Sequence, residues 1–564
     1  SRQSVWRYCL SMVLTGLWPQ PALVLAAGSG ICLSPSSFRV DLVQGLSPRA
    51  AERLQRAFKR LKGHIFNSPS RAHTHLQVEG GVEWLAQLSV RVASSDLRLT
   101  VRTNESYELT VNLSGAQLLA PTVYGALHGL ETFSQLTSPL ANCGVGINAS
   151  TVFIQDAPRF RWRGLMLDTA RHFLPVPTLT GMLDAMSYNK LNVLHWHISD
   201  SQSFPLATRK TKALARGAFA PHLVYTTSDV QAVIAFAADR GIRVVPELDS
   251  PGHATSWSLG YPNATLPQCH TTDPTANATF ALLADLVSEV SALFPDEFFH
   301  IGGDEVDFNC WNNSERVVAY MSRHNLPRNN TGFKELTVQY IGRVASLLGE
   351  QGKTVIAWQE AMDHYGPTAA NPTPPSPQLP ANAVIEQWLE PEWNWANLSA
   401  ITGEGYLGRP DARWPAGFQG FEALVTLGWY LDAVADLNSW EAVYVREPLT
   451  NQSCTYDSHH REVSCECKCP SGPWRDDKCH CYDLRGKADA AAKVLGGEAP
   501  IWGEHIDASN LESRAWPRAS AVAERLWSAM ELNNATAATP RMLKHRCRML
   551  ERGVRVTPLG PGFC

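Results

Sequence analysis

The chain has 564 residues, too many for one ordinary hydrophobic core, and this length predicts a large domain with at least one companion. Its hydrophobic fraction of 44% and charged fraction of 18% are typical of a soluble globular protein. The formal net charge of -4 provides no basic field, which argues against a nucleic-acid partner.

Residues 1–28 have the composition of a secretory leader. Two arginines precede an apolar run that ends in small residues up to Gly28, which is the pattern of a cleaved signal peptide. Pro19 and Pro21 interrupt the run, so an uncleaved anchor is the alternative. No later stretch has the ~18 uninterrupted apolar residues that a spanning helix needs, and we expect no membrane span.

Glycosylation motifs and cysteines also indicate the secretory route. The chain has 13 cysteines, and removal of Cys9 with the leader would leave an even number for disulfides. Asn-X-Ser/Thr motifs, which are candidate surface sites, occur at Asn104, Asn112, Asn148, Asn263, Asn277, Asn312, Asn329, Asn397, Asn451 and Asn534.

Residues 29–158 predict an α+β accessory domain. Polar and apolar residues alternate in Leu97–Thr103 and Tyr107–Leu113, which is typical of strands, and Thr122–Leu136 has a helical pattern.

From residue 159 to residue 564, short apolar runs alternate with longer helical patterns, which indicates a parallel sheet. Eight such runs predict a (β/α)8 TIM barrel. They are Leu165–Asp168, Asn192–His197, Arg243–Glu247, Phe298–Gly302, Thr354–Trp358, Ala383–Trp388, Leu424–Gly428 and Ala499–Gly503.

Active sites of such barrels lie at the carboxyl ends of the strands, so the residues just past each run are the first functional candidates. These residues are Arg171, Asp200, Glu247, His253, Asp304, Glu305, Trp358, Trp388, Tyr430, Asp432, Trp502 and Glu504.

Two segments interrupt the barrel pattern. Gly366–Pro380 is rich in proline, alanine and threonine and predicts a surface loop. An insert at about residues 451–482 holds six cysteines between Cys454 and Cys481, with three histidines among them. We interpret it as a disulfide knot, with a metal site as the alternative, because thiols are oxidised in the secretory pathway.

The most informative motif is His300–Glu305, in which an apolar strand leads into two glycines and then two adjacent carboxylates. Glycines allow a ligand to approach the backbone closely. Neighbouring acids at a strand end point in different directions, so one can face a leaving-group oxygen while the other faces another part of the same sugar. Taken alone, an ordinary acidic turn explains the motif equally well.

Together with the segments that follow the other strands, this motif resembles the β-N-acetylhexosaminidases of the twentieth glycoside-hydrolase family, with greatest similarity to the lysosomal type. The matches span about residues 161–564 in the family's order. They are Arg163–Phe173, Asn192–His197, Pro251–His253, His300–Val306, Trp358–Glu360, Gly428–Asp432, Trp502–Glu504 and Trp516–Ala519.

The resemblance implies an exo-acting hydrolase that removes terminal β-linked N-acetylhexosamine without a cofactor or a metal ion. Glu305 would be the general acid and later the general base. Asp304 would orient the 2-acetamido group, and Tyr430 would bind its carbonyl oxygen. That oxygen would attack C1 to form an oxazolinium intermediate, so the enzyme supplies no nucleophile.

The resemblance also implies how the terminal sugar is held. Trp358, Trp388 and Trp502 would form the walls of the pocket. Arg171, Asp432 and Glu504 would bind the outer hydroxyls, and Asp200 and His253 would orient and tune Glu305. A closed pocket of this kind implies exo-action.

Two other classes of function fit parts of the pattern. His195 and His197 face the same way on one strand and could hold a metal ion with His253, as in barrel amidohydrolases. A catalytically inactive glycan-binding protein could share the fold, but it would not need the acid pair.

The sequence departs from the family's pattern where Ser201 follows Asp200, because related lysosomal enzymes usually carry a second acid there. This departure concerns how the pKa of the general acid Glu305 is adjusted rather than the reaction itself. After Tyr430, Asp432 resembles family members that prefer neutral substrates, since a carboxylate would repel a 6-sulfate.

The resemblance further implies disulfides Cys269–Cys310 and Cys547–Cys564, which leaves Cys32 and Cys143 as a third pair outside the insert. Family members often form dimers, so a homodimer is a candidate assembly. A lysosome-like compartment and the extracellular space both fit the leader. The preference between GlcNAc and GalNAc stays open.

Overall fold

The computed structural model describes residues 16–42, 45–67, 83–141, 143–363, 379–389, 398–403, 420–432, 439–450, 453–456, 462–466, 482–562 and 564. It has two units. Strands and helices up to Asp156 form an α+β domain, and a closed eight-stranded parallel barrel begins at Trp162. This architecture confirms the predicted fold class.

The accessory domain is a six-stranded sheet with two helices against its buried face. Ser47 caps the first helix and Pro48 begins it, and its buried stripe includes Leu54, Phe58 and Leu61. The elements are β1 (Leu23–Ala27), β2 (Ile31–Leu33), β3 (Arg39–Leu42), α1 (Pro48–Phe66), β4 (Trp84–Leu85), β5 (Gln87–Val92), β6 (Tyr107–Asn112), β7 (Gly115–Ala120), α2 (Val123–Leu136), β8 (Thr137–Leu140), β9 (Gly144–Ile147) and β10 (Thr151–Asp156). The main sheet has the order β1-β10-β6-β7-β5-β3, and β4-β2-β9-β8 form a smaller sheet.

One predicted strand is absent: Leu97–Thr103 has no strand partner in the structure. Leu97 and Leu99 pack partly against the accessory core, while Val101 joins the apolar cluster at the amino-terminal end of the barrel. The Val101 N–H donates to Glu297 at 2.8 Å. The alternation therefore reflects contacts with two different cores rather than a position in a sheet.

The eight barrel strands pair in chain order and the last pairs with the first, and each strand overlaps one of the predicted runs. The elements continue in chain order as β11 (Trp162–Asp168), α3 (Val176–Tyr188), β12 (Val193–Ser199), α4 (Thr227–Ala238), β13 (Arg243–Leu248), β14 (Thr265–Leu266), β15 (Thr271–Thr272), α5 (Asn277–Leu293), β16 (Phe298–His300), α6 (Phe308–Asn313), α7 (Glu315–Arg323), α8 (Asn330–Glu350), β17 (Thr354–Trp358), α9 (Glu360–Asp363), β18 (Val384–Gln387), α10 (Leu398–Ile401), β19 (Glu422–Val425), α11 (Trp440–Tyr444), β20 (Ser453–Tyr456), β21 (Glu462–Glu466), α12 (Ala488–Lys493), β22 (Val494–Ile501), α13 (Leu511–Ala515), α14 (Arg518–Trp527) and α15 (Ala535–Glu551). Short 3₁₀ segments lie at Lys212–Gly217, Thr255–Leu259, Pro262–Ala264 and Pro267–Cys269.

The barrel interior changes from apolar to ionisable along its axis. At the amino-terminal end, Trp162, Val193, Val245 and Phe298 are among the residues of a buried apolar cluster. The next inward-facing positions on these strands carry buried ionisable side chains, namely His195, Glu247, His300, Glu386 and Glu498. Side chains of a barrel interior stack in such layers, and the carboxyl end above this layer is where the site lies.

The two domains exchange tryptophans. Trp18, which precedes the accessory sheet, is fully buried within the barrel core, and its indole N–H donates to the carbonyl of Ser520 at 2.9 Å. Trp527, on barrel helix α14, is buried within the accessory core, and its indole N–H donates to Asp156 at 3.0 Å. Lys190 of the barrel adds a buried 2.8 Å ion pair with Asp156 of the accessory domain.

The structure corrects the predicted end of the leader. Trp18 is buried and β1 (Leu23–Ala27) pairs along its full length with β10, so both belong to the fold. Cleavage after Gly28 would remove the edge strand of the main sheet, and the prediction that the leader extends to residue 28 is therefore wrong. Residues 1–15 lie outside the described residues.

All three disulfides predicted outside the insert are present: Cys32–Cys143, Cys269–Cys310 and Cys547–Cys564. In the insert, the backbones of β20 and β21 form a hairpin in which Cys454 and Cys465 are register partners. Residues 467–481 and most of the predicted surface loop (364–378) lie outside the described residues. Within the described part of the chain, no helix combines the length and apolar character that a membrane span requires.

Candidate active site

The acid pair Asp304 and Glu305 lies just past β16 at the carboxyl end of the barrel. Gly302 and Gly303 precede it with φ of 69° and 102°, and a Cβ on Gly302 would overlap the carboxylate of Asp249. Glu305 itself has a left-handed φ of 50°. A non-glycine residue held in this region costs on the order of 1–3 kcal/mol, and such strain concentrates at functional sites.

The two acids have different environments. Asp304 is only 6% exposed, and burial raises the pKa of its carboxyl, with Glu247 and Glu305 adding repulsion and His253 opposing them. The side chain of Glu305 is 59% exposed, and its contact with His253 lowers the pKa of its carboxyl. Asp304 is thus enclosed beside a charged neighbour, whereas Glu305 reaches the open side of the site.

His253 lies between this pair and Asp200. Its Nδ1 lies 3.2 Å from Asp200 Oδ2, and its Nε2 lies 3.4 Å from Glu305 Oε2 and 3.6 Å from Asp304 Oδ2. Burial alone would lower the pKa of His253, but Asp249, Asp304 and the contacts with Asp200 and Glu305 raise it well above its usual value. The neighbouring carboxylates therefore favour the imidazolium form of His253.

Arg171 is held so that part of its guanidinium faces the pocket. Its Nη1 lies 3.2 Å from Asp168 and its Nη2 lies 2.8 Å from Asp200, while its Cζ sits 4.9 Å from the ring centre of Trp502. Glu504 lies 3.8 Å from Nη2. Asp168 is itself fixed by the backbone N–H groups of residues 170, 171 and 503.

Tryptophan side chains lie at or just past the ends of three other barrel strands. The ring centres of Trp358 and Trp502 are 5.9 Å apart, and those of Trp388 and Tyr430 are 6.4 Å apart. The indole N–H of Trp358 donates to Glu247 at 2.9 Å, and that of Trp388 donates to Glu360 at 2.8 Å. These hydrogen bonds fix ring planes that can stack on the apolar faces of a sugar.

Tyr430 and Asp432 follow β19. Burial raises the pKa of the Tyr430 hydroxyl well above its usual value, and the negative charge of Glu386 raises it further. The hydroxyl therefore stays protonated and can donate a hydrogen bond. Burial also raises the pKa of Asp432 to about 6, with Glu504 adding to the increase. Among the described residues, one oxygen of Asp432 and one of Asp304 are buried without a protein hydrogen-bond partner. Both are acceptors available to a ligand.

The sequence prediction missed Asp249 and Asp168 as site residues. Asp249 is fully buried, accepts the Gly303 N–H at 3.1 Å, and has a pKa raised by burial and by Asp304. Asp168 anchors Arg171. Asp168 ends β11 and Asp249 directly follows β13. Their position at strand ends is the feature of the sequence that could have identified them as site residues.

The structure gives the histidines of the metal alternative other partners. The two ring nitrogens of His197 lie 2.5 Å from Glu247 and 3.1 Å from Asp200. His195 lies 2.6 Å from Glu498 and 3.1 Å from Glu247. A carboxylate thus lies within 3.1 Å of each nitrogen of both rings, and the histidines do not converge with His253 on one point.

Comparison with known proteins identifies two matching regions. Residues 160–530 match the family described as glycosyl hydrolase family 20, catalytic domain, and residues 17–136 match the family described as beta-acetyl hexosaminidase like. The second match begins before β1, in agreement with the corrected start of the accessory domain.

Similar proteins cover nearly the whole chain. Beta-hexosaminidase subunit beta of Homo sapiens is 34% identical over 563 residues, which cover 97% of this chain and 89% of that protein. Beta-hexosaminidase subunit alpha of Rattus norvegicus is 33% identical over 573 residues, with coverages of 98% and 96%.

Solved structures agree. The Flavobacterium johnsoniae chitobiase superposes with a TM-score of 0.73 at 27% identity, over 96% of this chain and 73% of that one. A mutant Streptomyces plicatus beta-hexosaminidase has the same fold, with a TM-score of 0.68 at 21% identity and coverages of 97% and 98%. The motifs, the barrel and these matches together establish that the chain belongs to glycosyl hydrolase family 20.

Proposed function

We propose that this chain is an exo-acting β-N-acetylhexosaminidase that hydrolyses terminal, non-reducing β-linked GlcNAc or GalNAc of glycans, glycoconjugates or chitooligosaccharides. The observation that carries the proposal is the adjacent acid pair Asp304–Glu305 just past β16, in which a buried and an exposed carboxylate both lie within 3.6 Å of His253. No resident cofactor enters the proposed reaction.

In the first step the carbonyl oxygen of the 2-acetamido group attacks C1 as the glycosidic bond breaks. Glu305 transfers its proton to the leaving oxygen, and the sugar becomes an oxazolinium ion. In the second step Glu305, now a carboxylate, takes a proton from water as that water attacks C1 and the ring opens. Two inversions at C1 retain the β configuration.

The environments of the two acids suit these roles. Glu305 is half exposed without substrate, and a bound sugar would bury it and raise its pKa towards that of an effective general acid. Positive charge that develops on the acetamido nitrogen favours the carboxylate form of Asp304, whose pKa burial otherwise raises. Tyr430, kept protonated, donates to the acetamido oxygen as that oxygen attacks.

The remaining site residues explain recognition of a terminal sugar. Arg171 and Glu504 lie 3.8 Å apart and offer donors and an acceptor to the outer hydroxyls. Asp432 adds a buried oxygen without a protein partner among the described residues. Trp388 and Trp358 supply apolar walls. Such a subsite binds one chain end, which supports exo-action.

The site of action and the assembly extend this proposal. The related hexosaminidases and the three disulfides support a protein of the secretory pathway. We assign it to a lysosome-like compartment or the extracellular space. The dimers common in the family support a homodimer.

Hydrolysis of a chromogenic β-N-acetylglucosaminide tests the proposal, with and without a thiazoline mimic of the oxazolinium ion. We expect thiazoline to block the wild type. Glu305→Gln removes the transferable proton and should lower kcat at least about 100-fold. Asp307→Asn is the matched control, because Asp307 caps α6 two residues further along and does not face the pocket. Sugar binding without hydrolysis by the wild type would contradict the proposal and favour a glycan-binding protein.

A further inference from the structure

Glu247 is a fully buried carboxylate beneath the pocket, at the end of β13. Oε1 accepts the indole N–H of Trp358 at 2.9 Å. Oε2 lies 2.5 Å from His197 Nδ1 and 3.1 Å from His195 Nε2. Glu247 therefore holds Trp358 through one oxygen and His197 through the other. His197 does not contact Asp304 or Glu305 directly.

The contact with His197 continues to the general acid. His197 Nε2 lies 3.1 Å from Asp200 Oδ2, Asp200 lies 3.2 Å from His253 Nδ1, and His253 Nε2 lies 3.4 Å from Glu305 Oε2. Carboxylates and imidazoles alternate along this path. His197 is hydrogen-bonded at both nitrogens, and His253 lies between Asp200 and Glu305, so a change in the proton or orientation of His197 acts on Asp200 and through it on His253.

The charge of Glu247 decides the state of His197. An imidazole donates from both nitrogens only as the imidazolium. Burial lowers the pKa of His197, but Glu247 and Asp200 outweigh burial and raise it to about 10, with Asp168 contributing. Arg171 also faces the ring, with its Nη1 3.5 Å from His197 Nε2.

On Glu247 itself, burial would raise the pKa, but the neighbouring histidines lower it well below its usual value. Those facing it are His195, His197 and His300. The three histidines therefore favour the carboxylate form of Glu247.

We propose that Glu247 is a positioning residue for hydrolysis. It keeps His197 protonated and thereby fixes the Asp200–His253 path to Glu305, while it anchors the Trp358 wall. This inference rests on the proposed function. It means that the buried ionisable layer of the barrel, to which Glu247 belongs, helps to align Glu305.

Glu498 offers a matched control. It is equally buried, accepts the indole N–H of Trp162 at 2.9 Å and lies 2.6 Å from His195 Nδ1. Its tryptophan belongs to the apolar cluster at the opposite end of the barrel. Glu247→Gln and Glu498→Gln thus remove the same charge from the same layer, but only the first change acts on the path to the pocket.

The experiment compares kcat, KM and thermal unfolding of the full-length wild type, Glu247→Gln and Glu498→Gln. We expect both variants to lose comparable stability. Glu247→Gln should lower kcat at least about tenfold, with a smaller change in KM, because the acid is misaligned rather than the sugar unbound. Its His197 loses a carboxylate partner and deprotonates at lower pH, so the ratio of wild-type to variant kcat should rise between about pH 5 and about pH 8. The ratio for Glu498→Gln should stay near one at every pH.

An active wild type with Glu247→Gln indistinguishable from Glu498→Gln would overturn this inference and leave the proposed function intact. An inactive wild type would overturn the proposed function, and the inference with it. If Glu247→Gln fails to fold, His197→Gln replaces it, because it breaks the path but keeps the contact between Glu247 and Trp358. We expect a pH-independent loss of kcat for that variant, and wild-type kcat would equally overturn the inference.

Discussion

Replacement of Arg171 by lysine separates the charge of this residue from its geometry. A guanidinium has five N–H donors, and two of them are committed to Asp168 and Asp200 at 3.2 and 2.8 Å. The Nε–H is buried and has no protein partner among the described residues. Lysine would keep the charge that compensates the two aspartates, but its three N–H donors would leave only one for the sugar.

The expected loss follows from the donors that are removed. Because the Nε–H is buried, arginine leaves two Nη donors for the sugar and lysine leaves one. A hydrogen bond from a charged donor contributes about 1.5–3 kcal/mol, so this change should cost about that much transition-state binding. With about 1.4 kcal/mol per factor of ten, kcat/KM should fall roughly 10- to 100-fold. The melting temperature should change little, because the compensating charge remains.

Steady-state hydrolysis of the chromogenic β-N-acetylglucosaminide, with thermal unfolding in parallel, measures both effects. Arg243→Lys is the control: Arg243 forms a buried 3.1 Å ion pair with Asp296 at the start of β13, at the amino-terminal end of the barrel. It should keep wild-type kcat/KM. Equal losses of kcat/KM in the two variants, or no loss in Arg171→Lys, would refute the assignment of Arg171 to the sugar.

Two further predictions concern specificity and stability. With a pKa of about 6, Asp432 is mostly a carboxylate at pH 7 and mostly neutral at pH 5. We therefore expect low activity on a 6-sulfated chromogenic substrate at pH 7 and a higher sulfated-to-unsulfated rate ratio at pH 5. Asp432→Asn should make that ratio independent of pH, and a flat ratio in the wild type would contradict the role of this charge. Trp18→Ala should lower the free energy of unfolding by about 3–5 kcal/mol, since it empties a fully buried site, while Trp84→Ala, at a tryptophan that is 40% exposed, should cost much less. Equal denaturant midpoints for the two variants would show that Trp18 is not part of the core.

The barrel and its site could be predicted because two local signals coincide. Each strand is a short apolar run, and the residue types that follow the runs are those of a sugar pocket, such as Arg171, Tyr430 and Glu504. Parallel strands bring their carboxyl ends to one face, so residues distant in sequence could be assigned to one site before their contacts were known.

Other features could not be predicted, because the same local pattern serves two structures. The apolar segment around Trp18 resembles a leader, yet it is buried against the barrel. Val101 lies in an alternating segment, yet it closes the end of the barrel without a strand partner. The position of Asp249 after β13 did not by itself identify it, because its importance comes from its contact with Gly303 and its proximity to Asp304.

The exchange of Trp18 and Trp527 makes the two domains thermodynamically inseparable. Each contributes a large indole to the hydrophobic core of the other, and unfolding of either domain would leave its partner with an empty site. Melting should therefore be one cooperative event with a calorimetric enthalpy that belongs to the whole chain. The accessory domain then stabilises the barrel at all times. A barrel expressed without it would lack Trp18, which is part of the barrel core.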